Sequence, residues 1–144
     1  MLYRKAYDKL LEWKNQQNKK ALCIMGARQI GKTTVIRQFG EDQYECFVEI
    51  NFITDTDAGK IFAGTLDANT IITNLTAYTR KPMIPGKTLV LLDEIQACPD
   101  ARTAIKFLVE DGRFDYIESG SLLGVKYKEV RSYPVGFEEL YQMY

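Results

Sequence analysis

The chain has 144 residues, about the length of one domain, and its composition (46% hydrophobic, 26% charged) excludes a disordered, collagen-like or disulfide-stapled protein. Its 19 basic and 19 acidic side chains balance, which argues against a dedicated nucleic-acid domain, although residues 1–20 carry six basic and two acidic residues. The absence of histidine excludes Ser-His-Asp and Cys-His catalysis, and the three cysteines lack a zinc-binding spacing, so any metal must use oxygen ligands. No apolar run reaches the length of a membrane span and no signal-peptide core follows Met1, so we expect a cytoplasmic protein without a membrane partner.

Helical and strand patterns alternate along the chain. Apolar side chains at helical spacing predict helices over residues 2–17, 32–39, 68–78 and 100–109, with a short helix within 55–64. Short apolar runs predict strands over residues 21–25, 45–52, 89–92, 114–118 and 130–135, the last of them weakened by Pro134. Gly40 is a predicted helix end, and Asp67 is a predicted helix cap. This alternation predicts one α/β domain with a mostly parallel sheet.

A glycine-rich loop lies between the first predicted strand and the second predicted helix. Residues 26–33, GARQIGKT, fit the pattern GxxxxGK[ST] in the strand–loop–helix context that the pattern requires. In such a loop successive backbone N–H groups point at phosphate oxygens, and the following helix adds the positive end of its dipole. Lys32 would reach the β- and γ-phosphates, and the Thr33 hydroxyl would bind Mg²⁺. The alternative is a glycine turn before an ordinary helix. The candidate nucleotide-binding residues are Gly26, Ala27, Arg28, Gln29, Ile30, Gly31, Lys32, Thr33 and Thr34.

Two carboxylates follow the apolar strand LVLL. Asp93 and Glu94 would lie at the carboxyl edge of a parallel sheet, where ligands of such sheets collect. Asp93 would bind Mg²⁺ opposite Thr33, and Glu94 would orient and polarise the attacking water by accepting its proton. The alternative is that both acids only cap the next turn.

Two further residues are candidates for the same site. Ser119 follows the fourth predicted strand, and its hydroxyl would sense the γ-phosphate or the attacking water if that strand lies between the other two; otherwise it is a turn serine. Arg131 is either a surface arginine or a finger that completes the site of a neighbouring copy in a homo-oligomer.

Four runs of sequence carry a resemblance to a known family: residues 26–34, 93–96, 119–121 and 134–138. On these runs the chain resembles one family of AAA-type prokaryotic ATPases, in which an ATPase core precedes a C-terminal domain of unassigned function. The resemblance implies a three-layer P-loop core with five strands in the order 5-1-4-3-2, binding ATP and Mg²⁺. It places Lys32 and Thr33 in Walker A roles, Asp93 and Glu94 in Walker B roles, Ser119 at a sensor position and Arg131 near an arginine finger.

Members of that family continue well past the position of Tyr144. We therefore expect residues 1–144 to be an ATPase core without its lid and without the C-terminal domain that would be its partner in cis. The leading hypothesis is an ATPase that passes a conformational change to that domain. The alternatives are a nucleotide-dependent switch without fast hydrolysis, a small-molecule kinase, and an ATPase coupled to nucleic-acid handling, which only the basic first helix favours. Glu94 favours hydrolysis, and the absence of an Asn-Lys-x-Asp run favours ATP over GTP.

Overall fold

The computed structural model of the protein describes residues 2–17, 19–26 and 32–121. Helices and strands alternate within these ranges, as the sequence predicts. The helices are α1 (Leu2–Lys14), α2 (Lys32–Gln43), α3 (Ala68–Thr79) and α4 (Pro99–Asp111). The strands are β1 (Leu22–Gly26), β2 (Cys46–Asn51), β3 (Thr88–Asp93) and β4 (Asp115–Ser121). Two short 3₁₀ helices, Ala58–Ile61 and Ile95–Ala97, precede α3 and α4.

The described strands form one parallel sheet in the order β1-β4-β3-β2. This order matches the last four positions of the expected 5-1-4-3-2 arrangement. The fifth strand, predicted over residues 130–135, lies outside the described residues. All four strands run the same way, so their carboxyl ends meet at a single edge of the sheet. The fold is therefore α/β, and β4 lies between the strand that leads into the glycine-rich loop and the strand that ends in Asp93.

Helices cover both faces of the sheet. Along β3 the side chains alternate: Leu89 and Leu91 pack towards α1 and α2, whereas Val90 and Leu92 pack towards α3 and α4. All four are fully buried, which explains why this strand is a continuous apolar run in the sequence. Each such side chain contributes roughly 1.5 to 3 kcal/mol when it leaves water. The three layers thus hold the carboxyl edge of the sheet on a rigid core.

The predicted end of α2 at Gly40 is wrong, because the helix continues to Gln43. A Cβ atom built on Gly40 would overlap Cδ1 of Phe47, so no side chain fits there without movement of the ring. Phe47 belongs to β2 and packs against the cluster beneath α2. The glycine therefore allows helix and strand to approach each other, and it does not terminate the helix.

We expect Gly40→Ala to lower the free energy of unfolding by about 1 to 2 kcal/mol, since the strain of overpacking exceeds the helix propensity that alanine gains. Chemical denaturation measures this change. Gly59→Ala is the matched control, because a Cβ there meets only Cys98 Sγ at 4.0 Å. Equal stability of the two variants would show that the Phe47 ring moves aside at no cost.

The ends of the other helices agree more closely with the ends predicted from the sequence. The Asp67 carboxylate caps α3 by accepting a hydrogen bond from the Thr70 backbone N–H at 3.0 Å, as predicted. The Thr70 hydroxyl also donates to this carboxylate at 2.7 Å, and the hydroxyl and backbone hydrogen bonds together lower the pKa of Asp67. Gly112 closes α4 with a left-handed φ of 79°, which a glycine adopts without strain. The prediction for β4 is too short: the strand continues through Ser119 to Ser121, so Ser119 is a strand residue and not the first residue of a turn.

Candidate functional site

The carboxyl edge of the sheet brings together Thr33, Asp93 and Ser119 from three different elements. Leu92 of β3 pairs with Glu118 of β4, so the next residues, Asp93 and Ser119, lie side by side. Ser119 is fully buried, and its hydroxyl donates a hydrogen bond of 2.7 Å to Asp93 Oδ1. In this structure the contact of the Ser119 hydroxyl is therefore with the Asp93 carboxylate.

The two carboxylate oxygens of Asp93 have different surroundings. Oδ1 accepts hydrogen bonds from Ser119 Oγ and, at 2.9 Å, from the Glu94 backbone N–H. Within the described residues the one hydrogen-bond contact of Oδ2 is with Thr33 Oγ1 at 3.4 Å, which is long for a hydrogen bond between two oxygens. Asp93 is 5% exposed. The protein therefore fixes the orientation of the carboxylate through Oδ1 and directs Oδ2 at the first turn of α2.

These oxygens are suitable ligands for a hard divalent cation. Mg²⁺ is usually held in proteins by one or two protein oxygens together with substrate phosphates and waters. Thr33 Oγ1 and Asp93 Oδ2 form such a pair next to the start of α2, where a phosphate would bind. Among the residues that the structure describes, no group of three or more Cys, Asp or Glu side chains forms a metal cluster. The arrangement therefore fits a metal that arrives with a phosphate ligand.

Glu94 has a left-handed backbone conformation, with φ 55° and ψ 46°. A non-glycine residue pays about 1 kcal/mol or more for this conformation, so the surrounding structure must enforce it. Its backbone N–H is bonded to Asp93 Oδ1, and its carbonyl accepts a hydrogen bond from the Ala97 N–H at 3.0 Å. Glu94 therefore turns the chain sharply out of β3, directly after Asp93.

A glutamine contacts the Glu94 carboxylate. Gln96 Nε2 donates a hydrogen bond of 3.1 Å to Glu94 Oε2. Gln96 is the last residue of the run 93–96 that carries the family resemblance, but its residue type and position in the sequence indicate no role. Its contact depends on the left-handed turn at Glu94, and nothing in the order of residues DEIQ reveals that turn.

The structure places the other candidates as follows. Gly26 is the last residue of β1 and pairs with Ser121, Lys32 is the first residue of α2, and Thr34 is exposed on α2. Residues 27–31 and Arg131 lie outside the described residues. Lys32 and Thr33 therefore begin the helix that the glycine-rich pattern requires.

The buried thiol of Cys23 is unreactive. Cys23 is fully buried in β1 and pairs with Glu118. Burial raises the pKa of the Cys23 thiol far above its ordinary value, the Glu118 carboxylate raises it further, and the Arg102 guanidinium lowers it. The thiol therefore stays protonated, and Cys23 is a core residue and not a nucleophile.

Comparison with known proteins identifies the family. A family model described as an AAA domain matches residues 18–144. The chain belongs to the AAA domain family. A search of curated protein sequences gave no significant match. Membership of this family supports a nucleotide-binding ATPase core. The residues that the family model matches include the glycine-rich loop and Asp93.

Two solved structures share the fold of this AAA domain. One is the Aeropyrum pernix Orc1 protein in complex with DNA, with 16% identity and a TM-score of 0.53 over 91% of this chain and 41% of that one. The other is C. elegans PCH-2, with 17% identity and a TM-score of 0.51 over 91% of this chain and 37% of that one. The chain thus spans about two fifths of each neighbour. At these identities the similarity concerns the fold alone.

The helices of the described part of the AAA domain are too short or too polar to cross a lipid bilayer.

Proposed function

We propose that this AAA domain binds ATP with Mg²⁺, hydrolyses it, and transmits the resulting conformational change to a C-terminal domain in cis. The observation that supports this most directly is the contact of Thr33 with Asp93 Oδ2. It joins the helix that follows the GxxxxGK[ST] loop to Asp93, the last residue of β3. An ordinary glycine turn before a helix gives no reason for a threonine hydroxyl to face a buried carboxylate.

In this proposal the phosphates bind to residues 26–31 through backbone N–H groups, at the amino end of α2, with the Lys32 ammonium beside them. Thr33 and Asp93 would hold Mg²⁺. The cation, when bound, supplies positive charge that stabilises the charge on the transferred phosphoryl group. Ser119 fixes the Asp93 carboxylate through its 2.7 Å hydrogen bond, so that Oδ2 stays directed at Thr33.

Glu94 acts in the proposal as the general base. Its Oε1 has no hydrogen-bond partner among the described residues, whereas Oε2 is bonded to Gln96. A carboxylate oxygen free in this way accepts a proton from the attacking water as the water oxygen forms its bond to phosphorus and the bond to the leaving oxygen breaks. A switch without fast hydrolysis has no need for such a base.

Two further elements of the proposal concern partners. Arg131 is proposed as a finger that completes the site of a neighbouring copy, which makes the active form a homo-oligomer.

The basic residues of α1 are the sequence feature that favours contact with nucleic acid, and one structural neighbour was solved in complex with DNA. Added DNA that leaves turnover unchanged would remove the nucleic-acid alternative.

Binding and turnover of ATP with Mg²⁺ test the proposed function directly. We expect Lys32→Ala to weaken ATP binding by roughly tenfold to a hundredfold, because it removes a charge-assisted contact with the phosphates. Calorimetric titration measures the affinity. Lys87→Ala is the matched control, because Lys87 directly precedes β3 at the amino edge of the sheet, opposite Asp93, and its ammonium pairs with Glu45 at 2.9 Å. Wild-type affinity in Lys32→Ala would contradict the proposed loop. Tight binding by the wild type without turnover would favour the switch.

A further inference from the structure

The Gln96 amide has one end in a hydrogen bond and the other end buried without one among the described residues. Its Nε2 donates to Glu94 Oε2, and its Oε1 is buried and accepts no hydrogen bond from the described residues. The two ends of the amide cannot be exchanged, because Oε1 would then face the carboxylate of Glu94 and both groups would be acceptors. The side chain therefore has a defined orientation with its donor end on Glu94.

A buried acceptor without a donor costs free energy, and native proteins retain such groups for a reason. Fold stability alone would favour an apolar side chain of the same size at position 96, since replacement of a poorly satisfied polar group by an apolar one is close to neutral or stabilising. Gln96 itself is half-buried, between the fully buried Ile95 and the exposed Ala97. What an apolar residue could not supply is the hydrogen bond to Glu94.

That hydrogen bond restrains a carboxylate which otherwise has freedom to rotate. Glu94 has no other side-chain hydrogen bond among the described residues, and its backbone is already fixed by Asp93 and Ala97. With Oε2 bonded to Gln96, Oε1 is the oxygen with no hydrogen bond from the described residues, so both of its lone pairs are open to a proton. A catalytic group held in one orientation by a second residue is more effective than a mobile one, since the geometry is prepared before the reaction.

We propose that Gln96 is a positioning residue, which orients the Glu94 carboxylate so that Oε1 faces the attacking water. This inference rests on the proposed function, because it gives Glu94 the role of general base. Gln96 acts through Glu94 and contacts neither nucleotide nor metal. Its removal therefore lowers the rate of hydrolysis and leaves nucleotide affinity and stability as they are.

The test is Gln96→Leu in the 144-residue chain, assayed for ATP turnover, for ATP affinity and for thermal stability. We expect kcat to fall roughly tenfold to a hundredfold, the effect of one hydrogen bond to a charged group. ATP affinity and the midpoint of thermal unfolding should equal or exceed those of the wild type. Gln17→Leu, which changes an exposed glutamine after α1, is the matched control.

A double variant separates positioning from a structural role. In the Glu94→Gln background, Gln96→Leu should cause no further loss of kcat, because the group that it orients is no longer a base. An equal fractional loss in both backgrounds would overturn the inference, as would wild-type kcat in Gln96→Leu or a lower melting midpoint together with weaker ATP binding. Absence of turnover in the wild type would overturn the proposed hydrolysis itself, and the positioning role with it.

Discussion

Glu94→Gln is expected to bind ATP as tightly as the wild type and to hydrolyse it about a hundredfold to ten-thousandfold more slowly, the usual contribution of a positioned general base. Glutamine keeps the size of the side chain and can still accept the hydrogen bond from Gln96 through its own oxygen. It has no carboxylate to accept a proton from water. Steady-state turnover and equilibrium binding of ATP, measured on the same preparation, separate the two effects.

Glu110→Gln is the matched control for this experiment, since Glu110 is exposed near the end of α4 and far along the chain from the acidic pair. It should retain full turnover. Turnover by Glu94→Gln at the rate of the wild type would show that Glu94 is not the base, and the two acids would then be a turn cap, as the alternative interpretation of the sequence holds.

Asp93→Asn is expected to abolish the dependence of turnover on Mg²⁺ while the protein stays folded. The asparagine oxygen can replace Oδ1 and accept from Ser119 and from the Glu94 N–H. The amide nitrogen replaces Oδ2, and there it donates to Thr33 Oγ1 where a metal ligand is needed. We expect turnover to fall about a hundredfold or more, since the cation contributes several kcal/mol to the transition state.

Asp67→Asn is the matched control for Asp93→Asn. Asp67 caps α3, and asparagine is as good a cap as aspartate, so both stability and turnover should stay close to those of the wild type. Magnesium titrations of ATP turnover and thermal unfolding provide the two measurements. If Asp93→Asn responds to Mg²⁺ as the wild type does, the cation is not bound at the Thr33–Asp93 pair.

The sequence predicts the fold well wherever a strand is buried on both faces. Such strands are continuous apolar runs, and β3 illustrates this because each of its residues is buried, including Thr88 and Asp93. The end of β4 is missed because residues 119–121 are polar or lack a side chain. The strand nevertheless continues, since β1 pairs with it as far as the Gly26–Ser121 register position. Pairing to a neighbouring strand is a tertiary property that local composition does not encode.

The candidate site is predictable to the extent that it depends on sheet topology. Placement of Thr33 beside Asp93 follows once the glycine-rich loop and the acidic pair are assigned to strands of one parallel sheet. The contact between Gly40 and Phe47 is different, because a glycine in a helix resembles a stop signal until its partner is known. The same is true of Gln96, whose contact with Glu94 requires a left-handed residue between β3 and a 3₁₀ helix.

The single tryptophan provides an intrinsic fluorescence signal with which ligand binding can be followed. Trp13 is 2% exposed, and its indole N–H donates to the Lys20 carbonyl at 2.8 Å, where α1 leads into β1. This is the amino end of β1, opposite the edge that carries Asp93. Nucleotide should therefore leave the native emission of Trp13 unchanged and shift only the temperature at which that emission changes, by the amount that binding stabilises the folded state. Melting curves of the unlabelled wild type and of each variant then rank their affinities on a common scale.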